Sequence, residues 1–221
     1  MFNSLADSGD NSPKELVQAQ IQAVEQAQSP EALMAAVQAL AKSESPAAIP
    51  ALIAVFGYNN PAASAIALGA VILWGDRAVE PLSNQMDEYN YGARAYSMRA
   101  LATIASGQSL EILISAATTD FAPSVRRAAA KGLGNLRWQD LSEPAEEILE
   151  TQQRVFTALA SLCGDGDWSI RYAGVVGLQY LGTRVAALGK TVGNFLDQYH
   201  HRESDRSVQA RIQLAQSLVV P

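Results

Sequence analysis

Val125-Arg126-Arg127-Ala128-Ala129-Ala130-Lys131-Gly132-Leu133-Gly134-Asn135-Leu136 opens with a β-branched residue, an Arg and small residues, and sets Leu eight and eleven positions after Val125. The phrase recurs as Ala93-Arg94-Ala95-Tyr96 with Leu101 and Ile104, and as Ile170-Arg171-Tyr172-Ala173 with Leu178 and Leu181. Weaker copies start at Ala63, with Val71 and Trp74, and at Val208. The starts lie 30, 32, 45 and 38 residues apart, the period of two-helix units that stack because neither helix buries its apolar face alone. This predicts an all-α chain, a right-handed α-α superhelix of about five two-helix units. No stretch alternates with period two, so no sheet is expected.

Proline and small polar residues punctuate the units. Ser12-Pro13-Lys14-Glu15, Ser29-Pro30-Glu31, Ser45-Pro46 and Asn60-Pro61 each put a capping side chain before a Pro at the first helical position. They predict helices over 13–27, 30–43 and 47–57, with another opening at 61. Further helices are expected over 78–88, 92–105, 110–118, 123–136, 146–163, 169–181, 184–199 and 205–219, with 169–181 and 184–199 forming one pair. Asp120 and Asp167 stand just before second helices, where a carboxylate accepts orphan backbone N–H groups. Residues 1–12 are polar and read as a flexible N-terminus, leaving 13–221 as one solenoid domain. Ala128 to Ala130, Gly132 and Gly134 on one helix, and Ala173, Gly174 and Gly177 on another, are small enough for helix axes to approach closely.

With 221 residues, 48% hydrophobic and 17% charged, the chain has ample material for one elongated core. Its formal charge of −6, with Arg dispersed one or two per repeat, argues against nucleic acid as a partner. The single Cys163 excludes an internal disulfide. The start carries no basic stretch leading into an apolar core, and the apolar run 62–74 is too short to span a bilayer. A cytoplasmic protein without membrane insertion is expected.

Catalytic signatures are missing: no Ser/His/Asp spacing, no P-loop, and no GxGxxG after a strand. His200 and His201 are adjacent and so cannot share a helix face, and no metal site is expected. Cys163 beside Gly164 reads as a small buried apolar residue rather than a nucleophile. What stands out is Tyr89-Asn90-Tyr91-Gly92-Ala93-Arg94-Ala95-Tyr96, preceded by Asp87 and followed by Arg99. In a stack it would neighbour 120–127 and 167–172, bringing rings, Arg and Asp from three units onto one inner wall. Such a wall suits a flat, partly apolar, doubly anionic ligand. A solvated repeat edge, with each Arg tied to the Asp of the next unit, accounts for the same residues.

The phrases 89–96, 119–133 (Thr119-Asp120-Phe121-Ala122-Pro123 onward) and Asp167-Trp168-Ser169-Ile170-Arg171-Tyr172-Ala173 resemble the F subunits of the E/F-type (CpcE/CpcF) phycobilin lyases, HEAT-like repeat proteins of cyanobacteria. The similarity runs from about Ser45 to the C-terminus. It implies a subunit that attaches phycocyanobilin, as substrate, to a cysteine of the phycocyanin α subunit, together with an E-type partner and with no tightly bound cofactor. The attacking thiol belongs to the acceptor, so the lyase works by orientation. Chemistry and position then suggest Arg94, Arg126 and Arg171 as propionate partners, and Tyr89, Tyr91, Tyr96 and Trp168 as ring contacts. Asp87 or Asp120 would be the N–H acceptor or proton source. Relatives that also isomerise the bilin carry adjacent His and Cys; Cys163 is flanked by Leu162 and Gly164, which implies attachment without isomerisation. A HEAT-like protein that detaches bilins or assists phycobilisome breakdown, and a non-catalytic adaptor, are the alternatives.

Overall fold

A computed structural model of the chain describes residues 13–86 and 89–219. They hold twelve α-helices and no strand: α1 (Pro13–Glu25), α2 (Pro30–Leu40), α3 (Ala48–Ala54), α4 (Pro61–Leu73), α5 (Val79–Asn84), α6 (Tyr91–Ile104), α7 (Leu110–Thr119), α8 (Pro123–Asn135), α9 (Ala145–Leu162), α10 (Trp168–Arg184), α11 (Ala186–His200) and α12 (Arg206–Leu218). The even-numbered helices pack side by side in chain order as an inner layer, and each odd-numbered helix packs on its successor from outside. The result is a HEAT-like solenoid of six pairs. The repeat phrase marks the five pairs from α3/α4 onward and is missing from α1/α2.

Caps explain where the inner helices begin. Ser29, Asn60 and Asn90 accept from the backbone N–H groups of Ala32, Ala63 and Ala93 at 3.0 to 3.1 Å. Asp167 and Asp205 do the same for Ser169 and Ser207, at 2.8 Å each. Asp120 accepts from Ala122 N–H at 2.8 Å just ahead of α8. The Ser45-Pro46 start is displaced: Ala47 is the N-cap of α3, without a side-chain bond, because Ser45 and Pro46 use their carbonyls in a preceding turn. The helix expected to reach residue 88 stops at Asn84. The segment 1–12 expected to be flexible lies outside the described residues.

Buried apolar side chains from Val17 to Val219 form one continuous cluster. Its largest members, among them Leu101, Leu133, Leu159, Leu178 and Leu181, each contribute about 1.5–3 kcal/mol by leaving water. The closest approach is between α8 and α10. A methyl group on Gly134 would stand 2.1 Å from the Gly177 carbonyl oxygen, and one on Gly177 would stand 2.5 Å from that of Ala130. Gly174 makes the same allowance toward Leu159 and Leu162 of α9. Gly182 lies as close to Val192 of α11, so α10 packs on the neighbour expected from the sequence as well as on α9.

Candidate functional site

The Arg of each repeat phrase performs one job three times. Arg94 of α6 bonds Asp120 through Nε at 2.8 Å and Nη2 at 3.3 Å. Arg126 of α8 reaches Asp165 at 2.7 Å and donates to the Ala117 carbonyl at 3.0 Å. Arg171 of α10 grips Glu203 through Nε and Nη2 at 2.8 and 2.9 Å, and donates to the Asp165 and Gly166 carbonyls. Each carboxylate acceptor lies in the loop that precedes the next inner helix, so the guanidinium groups tie consecutive units together. Arg94 is only 5% exposed. Ser64 occupies the corresponding place on α4 and donates to the Val55 carbonyl instead.

The ladder gives Arg94, Arg126 and Arg171, expected from the sequence as propionate partners, carboxylate partners inside the chain. Planar guanidinium groups bind carboxylates through two parallel bonds, and here the chain supplies those carboxylates itself. Asp120 is likewise engaged, by Arg94 and by Ala122 N–H. Asp87 lies outside the described residues. At the end of the ladder the Arg171 guanidinium, with the Tyr199 hydroxyl and backbone N–H groups of Ser204 and Asp205, holds the Glu203 carboxyl at about 2, below the usual range.

The expected ring contacts do not converge on one pocket. Tyr89 is 92% exposed in the bend before α6. Tyr91 lines a groove of about 350 Å³ with Tyr96, Phe56 and Asn60. Tyr96 stacks on Phe56 with ring centroids 5.4 Å apart and carries the Arg99 guanidinium 5.1 Å from its own centroid, so its faces are already in contact. Trp168 is half exposed at the start of α10, and Phe121, before α8, is three-quarters exposed beside Arg94. Tyr91, Phe121 and Trp168 thus edge the start of three successive inner helices.

A second surface was missed in the sequence. No Asp or Glu occurs in α4, α6, α8, α10 or α12, although the chain is acidic overall. The carboxylates lie on outer helices and loops, for example Glu146, Glu147 and Glu150 of α9. Two adjoining grooves cross the acid-free layer. One, about 300 Å³, is lined by Arg127, Lys131, Trp168, Ser169, Tyr172, Ala173 and Ser207. The other, about 350 Å³, is lined by Arg99, Ala102, Thr103, Ala128, Lys131, Asn135, Tyr180 and Arg184. Lys131 borders both. Along α10 the strip from Trp168 to Arg184 is ~24 Å long at the rise of an α-helix. Exposed rings, cations and no competing carboxylate match a flat dianion better than the ladder does. The readable signal was the missing acid in every second helix of the phrase-bearing repeats.

The chain's own thiol is not part of a reactive site. Cys163 is buried, its Sγ donates to the Leu159 carbonyl at 3.7 Å, and burial first, then the nearby Glu203 charge, push its pKa up to about 12. Among the described residues no group of three or more His, Cys, Asp or Glu is placed to hold a metal ion. Among them, too, no helix is long and apolar enough to cross a membrane.

Comparison with known proteins adds a family. Residues 79–160 match a family model of HEAT repeats, and residues 32–58 match one described as PBS lyase HEAT-like repeat. A phycocyanobilin lyase subunit beta of Nostoc sp. is 50% identical over 148 residues, 67% of this chain and 72% of that protein. A protein of Synechocystis sp. named phycocyanin alpha phycocyanobilin lyase CpcF is 44% identical over 62% of this chain and 64% of its own length. In the solved complex of CpcE and CpcF of phycocyanin lyase from Nostoc sp., one chain superposes with a TM-score of 0.74 at 50% identity, covering 78% of this chain and 99% of that one.

Proposed function

The chain belongs to the family of the phycocyanobilin lyase beta subunits, and from that premise we propose that it is the F-type half of a bilin lyase. With an E-type partner it attaches phycocyanobilin through a thioether to a cysteine of the phycocyanin α subunit, in the cytoplasm. The observation that carries the reading is the match to one chain of the two-chain lyase complex, 50% identical over 99% of that chain.

The chemistry asks little of the chain's own reactive groups. The acceptor thiol adds across the ethylidene double bond of the bilin, its sulfur bonding one carbon and its hydrogen ending on the pigment, with no leaving group. Cys163, buried and held as a thiol, does not compete as nucleophile. The lyase supplies orientation: an extended pigment held against a rigid wall meets one cysteine in one geometry, which accounts for large rate gains without a catalytic base. Trp168 is the proposed ring contact, because it is half exposed and lines the groove across the acid-free inner layer. The ladder arginines act one step back, by keeping the units in register.

Coexpression with an E-type partner, a phycocyanin α subunit and a bilin-producing pathway tests the reading, with zinc-enhanced fluorescence of denaturing gels as readout. Covalent pigment on the α subunit only when both lyase chains are present is expected. An unpigmented α subunit, under conditions where an established pair labels it, would overturn the assignment.

A further inference from the structure

We propose that the groove lined by Arg99, Lys131 and Arg184 seats the carboxylates of the bilin's propionate side chains, a role that rests on the bilin-lyase reading above. Three observations carry it. First, Arg94, Arg126, Arg137, Arg154 and Arg171 all hold a carboxylate of the chain, whereas no ion pair among the described residues uses Arg99, Lys131 or Arg184. What distinguishes these three is that they line one groove, with no Asp or Glu among its lining residues.

Second, helix dipoles account for only one of them. Arg184 stands in the last turn of α10, where a cation complements the carbonyl end. Arg99 and Lys131 stand more than a turn before the ends of α6 and α8, beyond the reach of that effect. Arg99 lies 5.1 Å from the Tyr96 ring centroid, a contact that holds its stem and leaves its charge without a carboxylate, and Lys131 borders both grooves.

Third, the floor beside the strip hides another uncompensated charge. Arg211 of α12 is 7% exposed, lies 5.9 Å from the Tyr172 ring centroid, bonds Gln179, and has no partner for Nη1. A buried guanidinium without a carboxylate raises the potential of the surface above it, and an incoming anion offsets that cost. The adjoining groove carries Trp168 and Tyr172 and shares Lys131, so one ligand with flat rings and two carboxylates fits both halves.

The test uses the coexpressed two-chain lyase and two probes, biliverdin and its dimethyl ester, which share the ring system and differ in charge. Affinities come from absorption titrations at fixed low salt. Each charge-assisted bond is strong enough that the free acid is expected to bind at least about tenfold tighter than the ester. The double substitution Arg99→Gln with Lys131→Gln is expected to weaken the acid by about the same factor and leave the ester unchanged. Both residues are exposed, and thermal melts of the variant complex, together with its retained ester binding, show that it folds. Equal affinity for acid and ester, or an acid affinity untouched by the double substitution, overturns the carboxylate seat while leaving the lyase reading intact. Binding of neither probe by the wild-type pair would count against the lyase reading itself. Loss of phycocyanin α binding in the variant, with pigment affinity unchanged, overturns the seat in favour of an acidic protein surface.

Discussion

At the scale of single residues, the ladder pairs are worth most where they are best buried. Removing the Asp120 carboxylate leaves Arg94 enclosed without a counter-ion, so Asp120→Ala is expected to destabilise the chain by about 3 kcal/mol. Urea unfolding would register this as a lower midpoint at unchanged slope. A midpoint equal to wild type would show that the pair contributes nothing. Glu203 makes the ladder acid-sensitive in a defined direction. Its folded pKa, about 2, lies below the usual carboxylate value, so the stability it provides is fully present above about pH 5 and is lost as pH falls toward 2. Glu203→Gln is expected to be less stable at pH 7 and to lose less stability than wild type between pH 5 and pH 2.5, in denaturant midpoints measured across that window. The sequence displayed both roles of the recurring Arg, ligand partner and inter-unit tie. It did not display the partners, because Asp120 and Glu203 sit 26 and 32 positions from their arginines, in loops of unequal length.

At the scale of elements, the α8–α10 contact depends on the absence of side chains. Gly134→Ala or Gly177→Ala places a methyl against backbone atoms that cannot withdraw, at an expected cost of about 1–3 kcal/mol. Gly69→Ala, on an open stretch of α4 with nothing within 4 Å, is expected to stabilise by about 0.5–1 kcal/mol through helix propensity. Thermal unfolding of the three variants side by side separates close approach from propensity; stabilisation by all three would remove the packing argument. Helix starts were legible because Ser, Asn, Asp and Pro act locally, within a turn of where they stand. Pairing was less legible. The connections on either side of α10 are both short, and Gly174 faces α9 while Gly182 faces α11, so α10 packs closely on both neighbours.

At the scale of the whole molecule, charge is sorted by layer. The chain carries −6 overall, yet its inner helices from α4 onward hold no carboxylate, so the face they share is positive against an acidic exterior. Attraction of that kind weakens with salt. Bilin affinity of the paired lyase is therefore expected to fall between 50 mM and 500 mM salt, and a salt-independent affinity in absorption titrations would argue for ring stacking alone. The sorting was present in the sequence, but composition and net charge average over it, and it emerges only when helices are assigned to layers.

The most direct measurement is a crystal structure of the two-chain lyase with a bilin bound. Pigment is expected along the inner layer between Trp168 and Arg184, its carboxylates beside Arg99 and Lys131, with the Arg94–Asp120, Arg126–Asp165 and Arg171–Glu203 pairs unbroken. Pigment on the outer helices, or propionates bound to Arg94, Arg126 and Arg171 with those pairs opened, would contradict it.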